Sequence, residues 1–91
     1  MDLNQVWNIV LTQIQLEISR VNFNTWFKNT KILNYDHGEV VVGVPNQFIK
    51  DWHEQKYSKS ILKIIRSVNG EVRSIRFSVY KYNPEDAKKV V

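Results

Sequence analysis

Residues 31–52 read KILNYDHGEVVVGVPNQFIKDW, and the fold turns on this stretch. Lys31 to Asp36 predicts a strand. Asp36-His37-Gly38 is a turn, with Gly38 suited to a positive φ angle. Glu39 to Val44 is a valine-rich run of the kind that favours extended chain, and it predicts the second strand of a hairpin. Pro45 ends that strand and suits the first turn of a helix, for which Asn46 is a natural cap.

Downstream, residues 46–68 read as helical, and Asn69-Gly70 closes them. Val72 to Tyr80 predicts a third strand, in which Ile75, Phe77 and Val79 alternate with Arg76, Ser78 and Tyr80, so that one face is buried and the other wet. Upstream, residues 3–18 predict a helix: Leu3, Val6, Trp7, Val10, Leu11, Ile14 and Ile18 recur every three or four residues as one apolar stripe. Ile9 and Leu16 fall on its opposite face. A short second helix follows, capped by Asn22 or Asn24, with Phe23, Trp26 and Phe27 pinning it to the first. The expected class is α+β, in the order α-α-β-β-α-β, with a three-stranded sheet packed against helices.

The stretch 46–68 carries an internal conflict. Tyr57, Ile61, Ile64, Ile65 and Val68 share one helical face, while Lys56, Lys59, Lys63 and Arg66 share another. At 100° per residue, Phe48 and Trp52 project onto the basic side. Either the helix breaks between Glu54 and Ser58, or one or both aromatics face solvent. A break suits Trp52, because large aromatics are mostly buried. Phe48, at the helix start, is more easily exposed.

Composition narrows the function. Ninety-one residues make one domain, and a hydrophobic share of 43% against 24% charged is the balance of a globular chain. The absence of cysteine excludes disulfides and thiolate metal sites and fits a reducing cytoplasm. There is no signal-peptide pattern at the N-terminus and no apolar run long enough for a membrane span. A net charge of +4 permits an anionic partner without requiring one. His37 and His53 lack metal-ligand spacing, Gly38, Gly43 and Gly70 are isolated rather than part of a phosphate loop, and no serine sits in a nucleophile elbow. The expectation is a binding domain, not an enzyme, with no cofactor and no metal.

Trp7 with Leu11 and Ile14, then Phe23-Asn24-Thr25-Trp26-Phe27, then Val44-Pro45-Asn46-Gln47-Phe48, then Asp51-Trp52 and Tyr57, resemble the N-terminal domain of the bacterial replication initiator DnaA over roughly residues 3–80. The phenylalanine-x-x-tryptophan pair and the proline-asparagine-x-phenylalanine run before aspartate-tryptophan are its most specific parts. The resemblance implies a fold similar to the K-homology module, weak self-association, contact with the replicative helicase, binding of initiation regulators, and at most weak binding of single-stranded DNA. It further implies that residues 1–82 form the interaction domain and that 83–91, with Asn83-Pro84-Glu85-Asp86, begin a flexible linker to further domains of a longer initiator. The sequence departs from the K-homology pattern in lacking a glycine-x-x-glycine loop, which argues against strong backbone clamping of nucleic acid.

Site residues follow from residues and resemblance together. The resemblance places the helicase-facing phenylalanine at Phe48, with Asn22 as a polar neighbour where the family often carries an acid, and it gives the Asn46–Phe48 corner a partner-facing role. It places self-association at the end of the first helix, on Val6, Trp7 and Val10, although the apolar stripe equally makes Trp7 a core residue. Lys56, Lys59, Lys63 and Arg66 are either a solvated face or a weak nucleic-acid contact. The leading expectation is a protein-interaction module of a replication initiator. The rival is an independent single-stranded nucleic-acid-binding domain that uses the basic stripe and exposed aromatics.

Overall fold

A computed structural model describes residues 2–81. The elements are α1 (Leu3–Gln15), α2 (Arg20–Phe27), β1 (Lys31–Asp36), β2 (Glu39–Val44), α3 (Gln47–Lys56), α4 (Ser58–Val68) and β3 (Ser74–Val79). The α+β class stands, with one change of detail: the third helix is two, so the order is α-α-β-β-α-α-β. The expected linker at 83–91 lies outside the described residues. No helix among them is long and apolar enough to cross a membrane.

α1 begins where the Asp2 carboxylate accepts from the Gln5 N–H at 3.2 Å, a side-chain cap for a first turn that lacks intrahelical acceptors. It ends at Gln15, three residues before the sequence expectation. The buried stripe Val6, Trp7, Val10 and Ile14 is complete by then, and continuing the helix would carry it past the core. Leu16 is 85% exposed at the helix end, while Ile18 lies beyond the turn and packs against the core. The cap of α2 is Ser19, whose hydroxyl accepts from the Asn22 N–H at 3.1 Å, not Asn22 or Asn24 as expected.

The hairpin bounds match the sequence expectation. His37 and Gly38 both take positive φ, 50° and 82°, the pair of values that lets a two-residue turn follow the strand twist. β2 is the central strand, antiparallel to β1 and parallel to β3, and α3 and α4 make the crossover that a parallel pair requires. Val40, Val42 and Val44 point into the core and are fully buried. β3 starts at Ser74 rather than Val72, because Arg73 N–H and Ser74 N–H both donate to the Gly38 carbonyl at the hairpin tip, at 2.7 and 3.2 Å. On the opposite face, a Cβ on Gly43 would come within 2.7 Å of the Tyr80 ring and 2.8 Å of Leu33, so glycine lets both close over the sheet. The Tyr80 hydroxyl then donates to the Asn29 carbonyl at 2.7 Å.

Candidate partner-binding site

The conflict in residues 46–68 is resolved at Tyr57. Its φ of −119° and ψ of −7° end α3, and α4 starts afresh at Ser58. The break lets each helix bury its own face: α3 turns Ile49, Trp52 and His53 inward, and α4 turns Ile61, Ile64 and Ile65 inward. Val68, expected on the buried face, is 43% exposed at the end of α4.

Asn46 caps α3 as expected, its side-chain oxygen accepting from the Ile49 N–H at 2.9 Å. Pro45 therefore precedes the cap instead of occupying the first turn. The Gln47 amide donates to the Asp51 carboxylate at 2.9 Å across the next turn. Phe48 projects from this turn and is 72% exposed. It shares a face with Trp52, four residues on. Trp26, from α2, lies against both rings: its centroid is 5.5 Å from Phe48, and it stacks on Trp52 at 3.9 Å with the planes 5° apart. The rings continue inward, with Trp52 to Tyr57 at 4.6 Å, Phe27 edge-on to His53 at 4.6 Å, and His53 to Phe77 at 5.4 Å. Such pairs contribute about 0.5–1.5 kcal/mol each beyond their buried area.

His53 is fully buried, and its Nε2 lies 2.6 Å from the Trp26 carbonyl. A carbonyl only accepts, so Nε2 carries the proton and donates. Nδ1 is buried without a partner. Burial lowers the pKa from its ordinary value of 6.5, and the hydrogen bond to Trp26 opposes this more weakly. In the unfolded chain His53 regains the ordinary value. Between the two pKa values the unfolded chain therefore holds the extra proton, so the stabilisation is fully present above about pH 6.5 and is lost as pH falls from there through the lowered value. Denaturation midpoints measured from about pH 7.5 to about pH 5.5 are expected to fall, by no more than about 1.4 kcal/mol per pH unit from this group. A His53→Leu chain that keeps the same pH dependence would assign the effect elsewhere.

The expected site residues divide into those the fold gathers and those it does not. Asn22 is exposed one turn before Trp26 on α2, so Trp26 links the helix of Asn22 to the helix of Phe48. Asn46 is exposed two residues before Phe48. Val6, Trp7 and Val10 require a correction. They are 4%, 3% and 0% exposed, and the Trp7 indole N–H donates to the Thr30 hydroxyl at 3.2 Å. They form the core beneath α1 and offer no surface to a second chain. The exposed side of α1 is instead a shallow depression lined by Gln5, Asn8, Ile9, Thr12 and Gln13. Lys59, Lys63 and Arg66 line a shallow groove on α4 with Leu62, Ser67 and Gly70, while Lys56 belongs to α3 across the break.

The sequence reading left two residues of this site unassigned. The sequence reading groups Trp26 with Phe23 and Phe27 as residues that pin α2 to α1. Phe23 and Phe27 are four apart and stack at 5.7 Å, which turns Trp26 about a quarter of the way around the helix, a signal present in the spacing itself. His53 carried no signal, because its partner carbonyl is 27 residues away in sequence.

Comparison with known proteins supplies the family. The DnaA N-terminal domain profile matches residues 4–67. The chromosomal replication initiator protein DnaA of Roseiflexus castenholzii is 34% identical over 70 residues, covering 77% of this chain and 15% of that protein. The chain thus spans a small part of the length of that relative. A similar fold occurs in the crystal structure of a HobA–DnaA (domain I–II) complex from Helicobacter pylori, with a TM-score of 0.68, 16% identity, and coverage of 85% of this chain and 99% of that one. With the profile running from the start of α1 almost to the end of α4, and so across the whole aromatic site, this chain belongs to the DnaA N-terminal domain family.

Proposed function

We propose that this domain is the protein-interaction module of a chromosomal replication initiator, docking the replicative helicase and regulators of initiation through the corner made by Phe48, Asn46 and Asn22. The supporting observation is Phe48, an aromatic side chain 72% exposed on a rigid helix start. A large ring left in water beside polar groups is the composition of a small binding hot spot. The Helicobacter pylori DnaA chain of similar fold was solved in complex with HobA, which supports a protein-binding role for the fold. Asn22 offers a hydrogen bond and no charge, so the contact on α2 is a neutral one. The role is binding, with no reaction and no cofactor in this domain.

Self-association through α1 and weak contact with single-stranded DNA belong to the same proposal, with altered residues. The α1 side chains that line its outward depression are those of Gln5, Asn8, Ile9, Thr12 and Gln13. The cations on α4 have no aromatic ring among the groove-lining residues, so the groove offers phosphate contact without base stacking.

The test is Phe48→Ala. Because the ring is mostly in water and loses only its contact with Trp26, the variant is expected to stay folded, with stability lowered by no more than about 1.5 kcal/mol. Binding to the helicase is expected to weaken by about 1–3 kcal/mol, or roughly 5- to 150-fold. A folded variant that binds helicase as tightly as the parent chain would remove Phe48 from the site.

A further inference from the structure

We infer that Trp26 is the positioning residue of this contact: it orients the Phe48 ring and sets the spacing between Phe48 on α3 and Asn22 on α2. The inference rests on the helicase-docking reading above and adds to it a residue that itself lies behind the contact.

Phe48 and Trp52 are a four-residue pair on one face of α3, and the Trp26 indole packs on both. Of the aromatic rings described, Trp26 is the only one that Phe48 meets. Trp26 itself is held from two directions. Its ring stacks on Trp52 at 3.9 Å, the planes nearly parallel, and its carbonyl accepts the Nε2–H of the fully buried His53 at 2.6 Å. An exposed phenylalanine on a helix normally samples several rotamers, and a partner must freeze one of them. Here one side of the ring already rests on a fixed indole, so less freedom is lost on binding. The same indole joins two helices. Asn22 stands one turn before Trp26, and its distance from Phe48 therefore depends on how Trp26 seats against α3. A partner that reads Phe48 and Asn22 together reads that docking.

Two measurements test this on the intact 91-residue chain. The first needs no substitution at Trp26. The NMR signals of the Phe48 ring, identified by their loss in Phe48→Leu, are expected to be displaced from free-phenylalanine positions by the Trp26 ring current. Signals at free positions would overturn the inference. The second is a cycle of helicase titrations. Trp26→Leu is expected to weaken binding about 3- to 10-fold. In a Phe48→Ala background the same change is expected to cost nothing further, since there is no ring left to orient. Trp26→Phe, which keeps a flat ring, is expected to recover most of the affinity. Losses that add, or a folded Trp26→Leu chain that binds like the parent, would overturn the inference. If Trp26→Leu does not fold, Trp26→Phe takes its place: Phe48 signals that move from their parental positions when the indole is replaced support the inference, and unmoved signals overturn it. Helicase binding unchanged by Phe48→Ala alone would defeat the docking reading, and the ring signals then decide separately whether Trp26 orients Phe48.

Discussion

Trp7→Ala is expected to cost about 3–5 kcal/mol of folding stability, the range for truncating a buried large aromatic. A domain of this length has roughly 5–10 kcal/mol in total, so the variant loses about a third of its stability or more. Two losses combine. The first is the cavity: Trp7 is 3% exposed and lies in one core with Val6, Val10, Ile14 and Phe27. The second is polar. The indole N–H donates to the Thr30 hydroxyl, and that hydroxyl donates in turn to the Phe27 carbonyl at 2.6 Å, tying α1 to the end of α2. Truncation leaves the hydroxyl without its donor. Urea denaturation read by near-ultraviolet circular dichroism checks this. A Trp7→Ala chain with the parental midpoint that has lost only self-association would place Trp7 on the surface and contradict its position here.

Trp7 also marks the limit of what periodicity can tell. The stripe from Leu3 to Ile14 fixes which face of α1 is apolar, and that face is the buried one. Periodicity does not say what covers the face. A second chain and the domain's own sheet leave the same pattern, and only the packing of α1 on β1 and α4 separates them. The hairpin, by contrast, was legible to the residue, because strand residues and turn chemistry lie next to one another in sequence. So was the Asn46 cap, a contact three residues long. The misread boundaries depend on distant partners or on near-equivalent neighbours. Ser19, Asn22 and Asn24 all suit a cap, and which of them serves is set by where α1 stops. The start of β3 is set by the Gly38 carbonyl, far away in the chain. At the candidate site, the exposure of Phe48 was readable from its place at the helix start, whereas helical phase alone set Trp52 on the same side and Trp52 packs inward. The break at Tyr57 was readable as a conflict between two faces, and its position within Glu54–Ser58 follows from the ring contacts that Tyr57 makes with Phe27 and Trp52.

His53→Ala is expected to be comparably destabilising, at about 3–5 kcal/mol, and His53→Leu clearly less so. The imidazole fills a fully enclosed space between Phe27, Trp52, Tyr57 and Phe77, so alanine opens a cavity in addition to removing the donor to the Trp26 carbonyl. Leucine restores most of the volume and still strands that carbonyl, which costs about 1–3 kcal/mol. It also removes Nδ1, a buried acceptor with no partner, and that removal offsets part of the loss. The difference between the two variants therefore measures the cavity, and the difference between leucine and the parent measures the hydrogen bond less the cost of burying Nδ1 without a partner. Chemical denaturation above about pH 7, where both the folded and unfolded chains hold a neutral imidazole, keeps proton uptake out of the comparison. Equal losses in both variants would mean that packing matters little and the Nε2–H bond carries nearly everything. A parental midpoint for His53→Leu would mean that the bond to Trp26 only offsets the cost of burying Nδ1 without a partner, and α2 would then be held to α3 by ring contacts, Trp26 on Phe48 and Trp52 and Phe27 on Tyr57.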